Sequence, residues 1–348
     1  MESKRAMNFR SPALPPCRSP VLFRLVACAA SLAAAGLLAG CAYFAVKFAP
    51  EKRASTEETA SAKQANEYFW STLHAGKYDE LPQVLTALTG AYLENPNDAT
   101  IAAHLGFAHI WRLSERNRLS RIPPGITDDA VLARKYFAEA ARLNRDDPRL
   151  TGFLGVSMMA EGRIDKDEKL STRGYFTAKE GIRQWPEFNN FTLGYVMSNE
   201  PYDGKLFREA LELQWEAMDL CYGEKVDRAN PGIARYAALE SKETDPHRRR
   251  ACWNSEIAPH NVEGFFLNMG DLLVKSGDWQ TAVKIYENAK RAPEYPSWPY
   301  RAVLDERIAT AQSNVEFFRK THPLSEPITE RTLMFNSPFS CMACHQTK

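Results

Sequence analysis

The chain has 348 residues, enough for one large domain or two ordinary ones, and its 44% apolar and 25% charged residues are typical of a globular protein. This composition argues against an intrinsically disordered chain. The formal net charge is +1, which excludes the strongly basic balance of a nucleic-acid-binding protein.

Residues 1–40 are predicted to be a secretory signal segment, because cationic residues up to Arg24 precede an apolar run rich in Ala and Leu. The run ends in Leu38-Ala39-Gly40-Cys41, which resembles the lipobox of bacterial lipoproteins and implies that Cys41 is lipidated. The alternative is an uncleaved anchor, since the 22 residues 25–46 carry no charge and could cross a bilayer. Both alternatives attach the protein to a membrane through its N-terminus and place the rest on the periplasmic side of the bacterial cell envelope. The lipoprotein is favoured because the apolar run before Cys41 has the expected length.

Residues 41–65 are predicted to be a polar linker, because from Pro50 they are mostly Glu, Lys, Ser, Thr and Ala. Loss of residues 1–40 would remove five cationic residues and one anionic residue. The remaining 39 Lys and Arg face 42 Asp and Glu, a net charge of −3. We therefore expect no nucleic-acid partner.

Residues 66–320 are predicted to form an all-α domain, because helical periodicity dominates and no sustained alternation of period two occurs. The segment from Phe266 to Pro293 resembles a tetratricopeptide repeat (TPR). The residues that carry the resemblance are Phe266, Met269, Gly270, Leu273, Gly277, Trp279, Ala282, Tyr286 and Ala289. It implies a TPR-like α-α solenoid, in which the small residues let two helices approach closely.

Weaker copies share a Leu-Gly step at Leu105-Gly106, Leu154-Gly155 and Leu193-Gly194. Together with Gly270, these glycines are spaced 49, 39 and 76 residues apart, so a 34-residue unit is stretched by loops. Residues 225–260 match the repeat worst. The alternative is an irregular helical bundle with coincidental Leu-Gly pairs.

Residues 321–348 are predicted to form an irregular C-terminal arm, because Pro323, Pro327 and Pro338 interrupt any helix. We expect the arm to fold back on the last helices, or to be covered by a partner. The expected contact residues are Trp279, Tyr286, Trp298, Phe317 and Phe318.

The arm ends in Cys341-Met342-Ala343-Cys344-His345, the Cys-x-x-Cys-His pattern of covalent haem attachment. Two thiols at this spacing reach the two vinyl groups of one haem, and the histidine that follows the second cysteine lies under the iron. Half a zinc site, a thioredoxin-like redox pair and an ordinary disulfide are the alternatives. A zinc site would need a second Cys/His pair, and a thioredoxin-like pair a βαβ pattern around it; neither is found.

By this motif the chain resembles a c-type cytochrome. The resemblance implies one covalent haem c, bound through Cys341 and Cys344, with His345 as the proximal iron ligand. Met334 or His322 on the arm is the candidate distal ligand, and the helical domain holds His104, His109 and His260 as further histidines. The resemblance covers the attachment motif and not a cytochrome fold.

Of the cysteines that follow residue 40, Cys221 and Cys252 remain after lipid and haem are assigned, and in an oxidising periplasm they are a disulfide candidate. The basic run His247-Arg248-Arg249-Arg250 is interpreted as a solvated loop, or as a docking patch for an acidic partner.

The expected function is one-electron transfer in the periplasm by a membrane-anchored cytochrome, with a protein redox partner docked on the TPR-like surface. We expect an electron carrier rather than an enzyme, because the chain holds one haem motif and no second cofactor motif. One alternative is a haem enzyme or sensor that binds peroxide or a diatomic gas at an open sixth position. The other is a TPR assembly or scaffold lipoprotein with an accessory haem.

Overall fold

The computed structural model describes residues 43–116, 119, 121–236, 238–253 and 262–320. Within these residues the regular secondary structure is entirely helical, without strands, which confirms the all-α prediction. The chain divides into two compact units, Met1–Lys52 and Arg53–Lys348.

The described part of the first unit is a short apolar segment. Residues 43–47 are helical, and the side chains of Tyr43, Phe44, Val46 and Phe48 are 58–79% exposed. The rings of Phe44 and Phe48 stack with their centroids 5.9 Å apart. Among the described residues, no helix combines the length and apolarity needed to cross a membrane.

The described part of the second unit contains twelve α-helices. In chain order they are α1 Ala60–His74, α2 Leu81–Glu94, α3 Ala99–Ser114, α4 Asp128–Leu143, α5 Pro148–Asp165, α6 Glu168–Gln184, α7 Pro186–Met197, α8 Lys205–Tyr222, α9 Pro246–Cys252, α10 Val262–Ser276, α11 Trp279–Ala289 and α12 Arg301–Arg319.

Asp side chains fix where several of these helices begin. Asp98 accepts hydrogen bonds from the first backbone N–H groups of α3. Asp167 and Asp278 accept one each at the starts of α6 and α11. Because these N–H groups have no partner inside the helix, the caps stabilise each start by about 1 kcal/mol.

The helical body begins inside the segment predicted as linker. Thr59 Oγ1 accepts a hydrogen bond of 3.1 Å from the N–H of Ala62, and the side chains of Ala62 and Ala65 are buried. These two small residues lie on the buried face of α1. The segment is therefore an amphipathic helix, although most of the residues around them are polar. The linker therefore ends at Thr59 rather than at residue 65.

Consecutive helices pack as hairpins: α1 with α2, α3 with α4, α5 with α6, α7 with α8, and α10 with α11. Neighbouring hairpins contact each other mainly through the second helix of one and the first helix of the next: α2 against α3, α4 against α5, and α6 against α7. First helices also meet, α1 against α3 and α5 against α7. The last helix, α12, packs on both α10 and α11.

The four glycines of the Leu-Gly and Met-Gly steps lie where the two helices of a hairpin cross. A Cβ atom at Gly106, Gly155, Gly194 or Gly270 would come within 3.0 Å of the second helix of the same hairpin. The nearest atoms belong, in that order, to the Phe137 ring, the Ala178 backbone nitrogen, the Gln214 amide and the Tyr286 ring, at 2.8, 2.4, 2.5 and 2.1 Å. Any side chain would push the helices apart.

The hydrophobic core runs from hairpin to hairpin in chain order. One buried cluster centres on Phe69 and Trp111 near the N-terminus, and another on Phe266 and Trp298 near the C-terminus. Tyr300, just before α12, packs against both of these clusters. The two ends of the helical body therefore meet at Tyr300.

The segment between α8 and α10 departs from the hairpin pattern, as its poor match to the repeat predicted. Gly223 ends α8 with a φ of 72°, and irregular chain with short helical turns leads to α9. A disulfide joins Cys221 in α8 to Cys252 in α9, with the two Cα atoms 5.4 Å apart. This is the pair of cysteines left over in the sequence.

Candidate functional site

The haem-attachment residues Cys341, Cys344 and His345 lie outside the described residues, and so do the distal candidates Met334 and His322. The lipidation candidate Cys41 and His260 lie outside them too. The structure does describe the point where the arm begins, and the helical surfaces within the arm's reach.

The arm begins at a fixed point. Arg319, the last residue of α12, donates from Nε to the Lys275 carbonyl at 3.1 Å and from Nη2 to the Ser276 carbonyl at 2.9 Å. Its guanidinium also lies over the Tyr202 ring, 4.3 Å from the centroid. The chain therefore enters the arm beside the C-terminal end of α10.

The surface expected to receive the arm is mostly hydrophobic core. Tyr286, Trp298 and Phe318 are at most 2% exposed. Trp279 and Phe317 are only partly buried at the edge of the same cluster. The rings of Tyr286, Trp298 and Phe318 fill the space between α10, α11 and α12, and the expected return of the arm to this end of the helical body stays a prediction.

A buried polar cluster accounts for part of this packing. The Tyr286 hydroxyl donates to Asp271 Oδ1 at 2.6 Å, and Arg307 Nε donates to the same oxygen at 2.9 Å. Tyr286, Asp271 and Arg307 are all buried, so the ion pair acts in a low-dielectric interior. Sequence reasoning missed this cluster; the available signal was a charged residue directly after Gly270, on an otherwise apolar helix face.

The two described histidines of the helical body that the sequence raised as possible ligands are engaged in packing. His104 Nδ1 lies 2.6 Å from Asn66 Oδ1, and its ring stacks on Phe69 with centroids 4.6 Å apart. Burial lowers the pKa of His104 to about 3, so its imidazole is neutral at physiological pH. His109 Nδ1 lies 2.7 Å from Asp129 Oδ1. Neither histidine could reach an external iron without unpacking its helix.

An apolar pocket opens between α7, α8 and α10, and we call it the α7–α8–α10 pocket. Its main lining residues are Phe188, Phe191, Met218, Tyr222, Val262 and Phe265. The partly exposed Cys221–Cys252 disulfide and Ala251 complete the wall on the side of α9. The volume of about 70 Å³ is several times the roughly 10–15 Å³ that one water needs. It can hold an apolar side chain and not a whole haem.

The basic run is only partly available to a partner. Arg248 donates from Nη2 to the carbonyls of Leu220 and Cys221 at 3.0 and 3.1 Å, and it pairs with Glu243 at 3.0 Å. Arg248 thus holds α9 against the end of α8, while His247 and Arg249 are exposed.

Within the described ranges no cluster of three or more His, Cys, Asp or Glu side chains could hold a metal ion. No protein-family model, curated protein or solved structure matches the chain.

Proposed function

We propose that this protein is a membrane-anchored c-type cytochrome of the bacterial periplasm that carries one electron to or from a protein partner. The observation that carries the proposal is Cys341-Met342-Ala343-Cys344-His345 behind an export signal. The donor set fits covalent haem, because each thiol can add across one vinyl double bond without an oxidant. The imidazole of His345 then supplies the proximal ligand. Bound haem would supply a one-electron iron couple, and the chain's own residues hold it.

The helical body is proposed to be a TPR-like α-α solenoid that recruits the partner. Two observations support this: five helix hairpins follow one another, and the glycines of all four Leu-Gly or Met-Gly steps lie at helix crossings. Such close crossings are what the small residues of a TPR provide.

Attachment to the membrane is proposed to involve more than Cys41. Tyr43, Phe44 and Phe48 expose most of their rings within seven residues of the lipidation candidate. Aromatic rings favour the membrane–water interface, so this segment would add to the affinity of a lipid anchor.

Haem attachment is tested by expressing the full chain together with a haem-attachment system. We expect a band that keeps haem-peroxidase stain on a denaturing gel. The double variant Cys341→Ser, Cys344→Ser should lose the stain, because no thiol of the motif is left to form a thioether. Cys221→Ser is the matched control, since it removes a cysteine outside the motif and should keep the stain. A wild-type protein without covalent haem would falsify the cytochrome proposal.

The haem enzyme or sensor is the second candidate, favoured by one observation. His104 and His109 are held in the helical body, so a sixth ligand must come from elsewhere, such as Met334 or His322, or the position stays open. A low-spin, six-coordinate absorption spectrum supports electron transfer, and a high-spin spectrum supports ligand binding.

A further inference from the structure

We propose that the apolar segment Leu333–Phe339 of the C-terminal arm docks in the α7–α8–α10 pocket. The effect of this contact on the position of the haem rests on the proposed function, whereas the contact itself depends only on the arm and the pocket.

The pocket calls for an apolar occupant. Phe188 and Phe191 of α7 face Phe265 of α10 across it, and Met218 of α8 is buried at its wall. The rings of Phe191 and Phe265 have centroids 5.8 Å apart. Aromatic and thioether surfaces of this kind bind apolar side chains and adapt to their shape.

The arm holds such an occupant directly before the haem motif. Leu333, Met334, Phe335 and Phe339 are four large apolar residues within seven positions. Outside a membrane a segment of this kind is stabilised by burial. The connection between α9 and α10, residues 254–261, holds only one large apolar residue, Ile257. The composition therefore favours the arm as occupant.

The arm can reach the pocket. It begins beside Lys275, at the C-terminal end of α10, and the pocket lies at Phe265, ten residues earlier on the same helix. Ten residues of helix span about 15 Å. The thirteen residue-to-residue steps from Lys320 to Leu333 span up to about 43–47 Å when the chain is extended.

Docking would fix the position of the haem. Cys341 follows Phe339 by two residues, which is at most about 7 Å of chain. Cys341 and Cys344 would then hold a bound haem close to the pocket.

Photo-cross-linking of the full-length holoprotein tests the contact. Benzoylphenylalanine in place of Phe335 should cross-link within one chain to peptides from α7, α8 or α10. The same probe in place of Phe176, which is 64% exposed on α6, should not label these peptides. Cross-links confined to a second copy, to another protein, or to other parts of the helical body would overturn the proposal.

A variant that blocks the pocket provides a second test of docking by the arm. Ala251 is half-buried and lines the pocket, so Ala251→Trp should fill the mouth and release the arm. We expect trypsin to cut after Arg331 at least about fivefold faster in Ala251→Trp than in the wild type, because cleavage follows the undocked population. Ala229→Trp, on the exposed chain after α8, is the control and should cleave at the wild-type rate.

The two proposals can fail separately. Equal cleavage rates in wild type and Ala251→Trp, with haem stain present, would overturn docking and leave the cytochrome. Specific cross-links without haem stain would leave docking and overturn the cytochrome.

Discussion

At the residue scale, Glu263 places a carboxyl group in the first turn of α10, where water does not reach it. Its side chain is fully buried, and neither carboxylate oxygen has a hydrogen-bond partner in another residue of the described part of the chain. Burial is the main cause that raises the pKa of Glu263 from 4.5 to about 7; a hydrogen bond from its own backbone N–H opposes this rise, and the negative charge of Glu294 adds to it. A charged carboxylate here would be strongly unfavourable, so the folded protein favours the protonated acid.

The stability of the protein should therefore depend on pH through Glu263. The folded pKa lies above the unfolded value, so this contribution to stability is fully present below pH 4.5 and is lost as pH rises through about 7. Gln mimics the protonated acid, so Glu263→Gln should be about 1–3 kcal/mol more stable than the wild type at pH 8. The difference should vanish at pH 4, as measured by urea denaturation.

The control for this prediction is Glu316→Gln, because the Glu316 side chain is 81% exposed. It should leave the pH dependence of stability unchanged. If the Glu263→Gln and wild-type curves run parallel from pH 4 to pH 8, Glu263 does not titrate on folding in this range.

At the scale of the elements, close helix crossing depends on the absence of a side chain. A Cβ at Gly155 would lie 2.4 Å from the backbone nitrogen of Ala178, and backbone cannot move aside as a side chain can. We expect Gly155→Ala to destabilise the protein by about 1–3 kcal/mol, despite the better helix propensity of Ala. Thermal and urea unfolding measure this.

Gly90 provides the matched comparison. It is exposed on α2, and a Cβ there would have no atom within 4 Å. Gly90→Ala should therefore stabilise the protein by about 0.5–1 kcal/mol through reduced chain entropy. Equal effects at the two positions would show that helix propensity, rather than packing between helices, determines the change in stability.

The sequence predicted the helices better than it predicted the contacts between helices that are distant in the chain. Apolar periodicity and the Leu-Gly steps located the hairpins, because both follow from local packing between neighbours in the chain. The sequence did not predict where α1 begins, because its first buried residues, Ala62 and Ala65, are small and are surrounded by polar residues. The α7–α8–α10 pocket could not be predicted, since it combines helices separated by more than 60 residues and a disulfide-held segment that follows no repeat. The haem motif was read from chemistry alone and stays a prediction.

At the scale of the whole molecule, Tyr300 links the two ends of the helical body. In an ordinary repeat array each unit contacts only its neighbours, so terminal units can open by themselves. Tyr300→Ala should remove this link, lower the free energy of unfolding by about 2–4 kcal/mol and speed amide hydrogen exchange in α1 and α2. Exchange in α7 should change less.

Phe176→Ala is the control for Tyr300→Ala, because the Phe176 ring is exposed and its loss should change stability by no more than about 0.5 kcal/mol. Unchanged exchange in α1 and α2 of Tyr300→Ala would mean that the N-terminal hairpin is held by its own neighbours alone.

The anchoring of Arg319 has a consequence for how firmly the proposed arm contact must hold. A tether that starts at a fixed point on the same molecule confines the apolar segment to a small volume, which for short linkers corresponds to an effective concentration of about 1 mM. A contact with an intrinsic Kd of only about 0.1 mM would then be occupied about nine-tenths of the time. A partner would therefore need only modest affinity for the arm to draw it out of the pocket, and the arm would return unaided once the partner leaves.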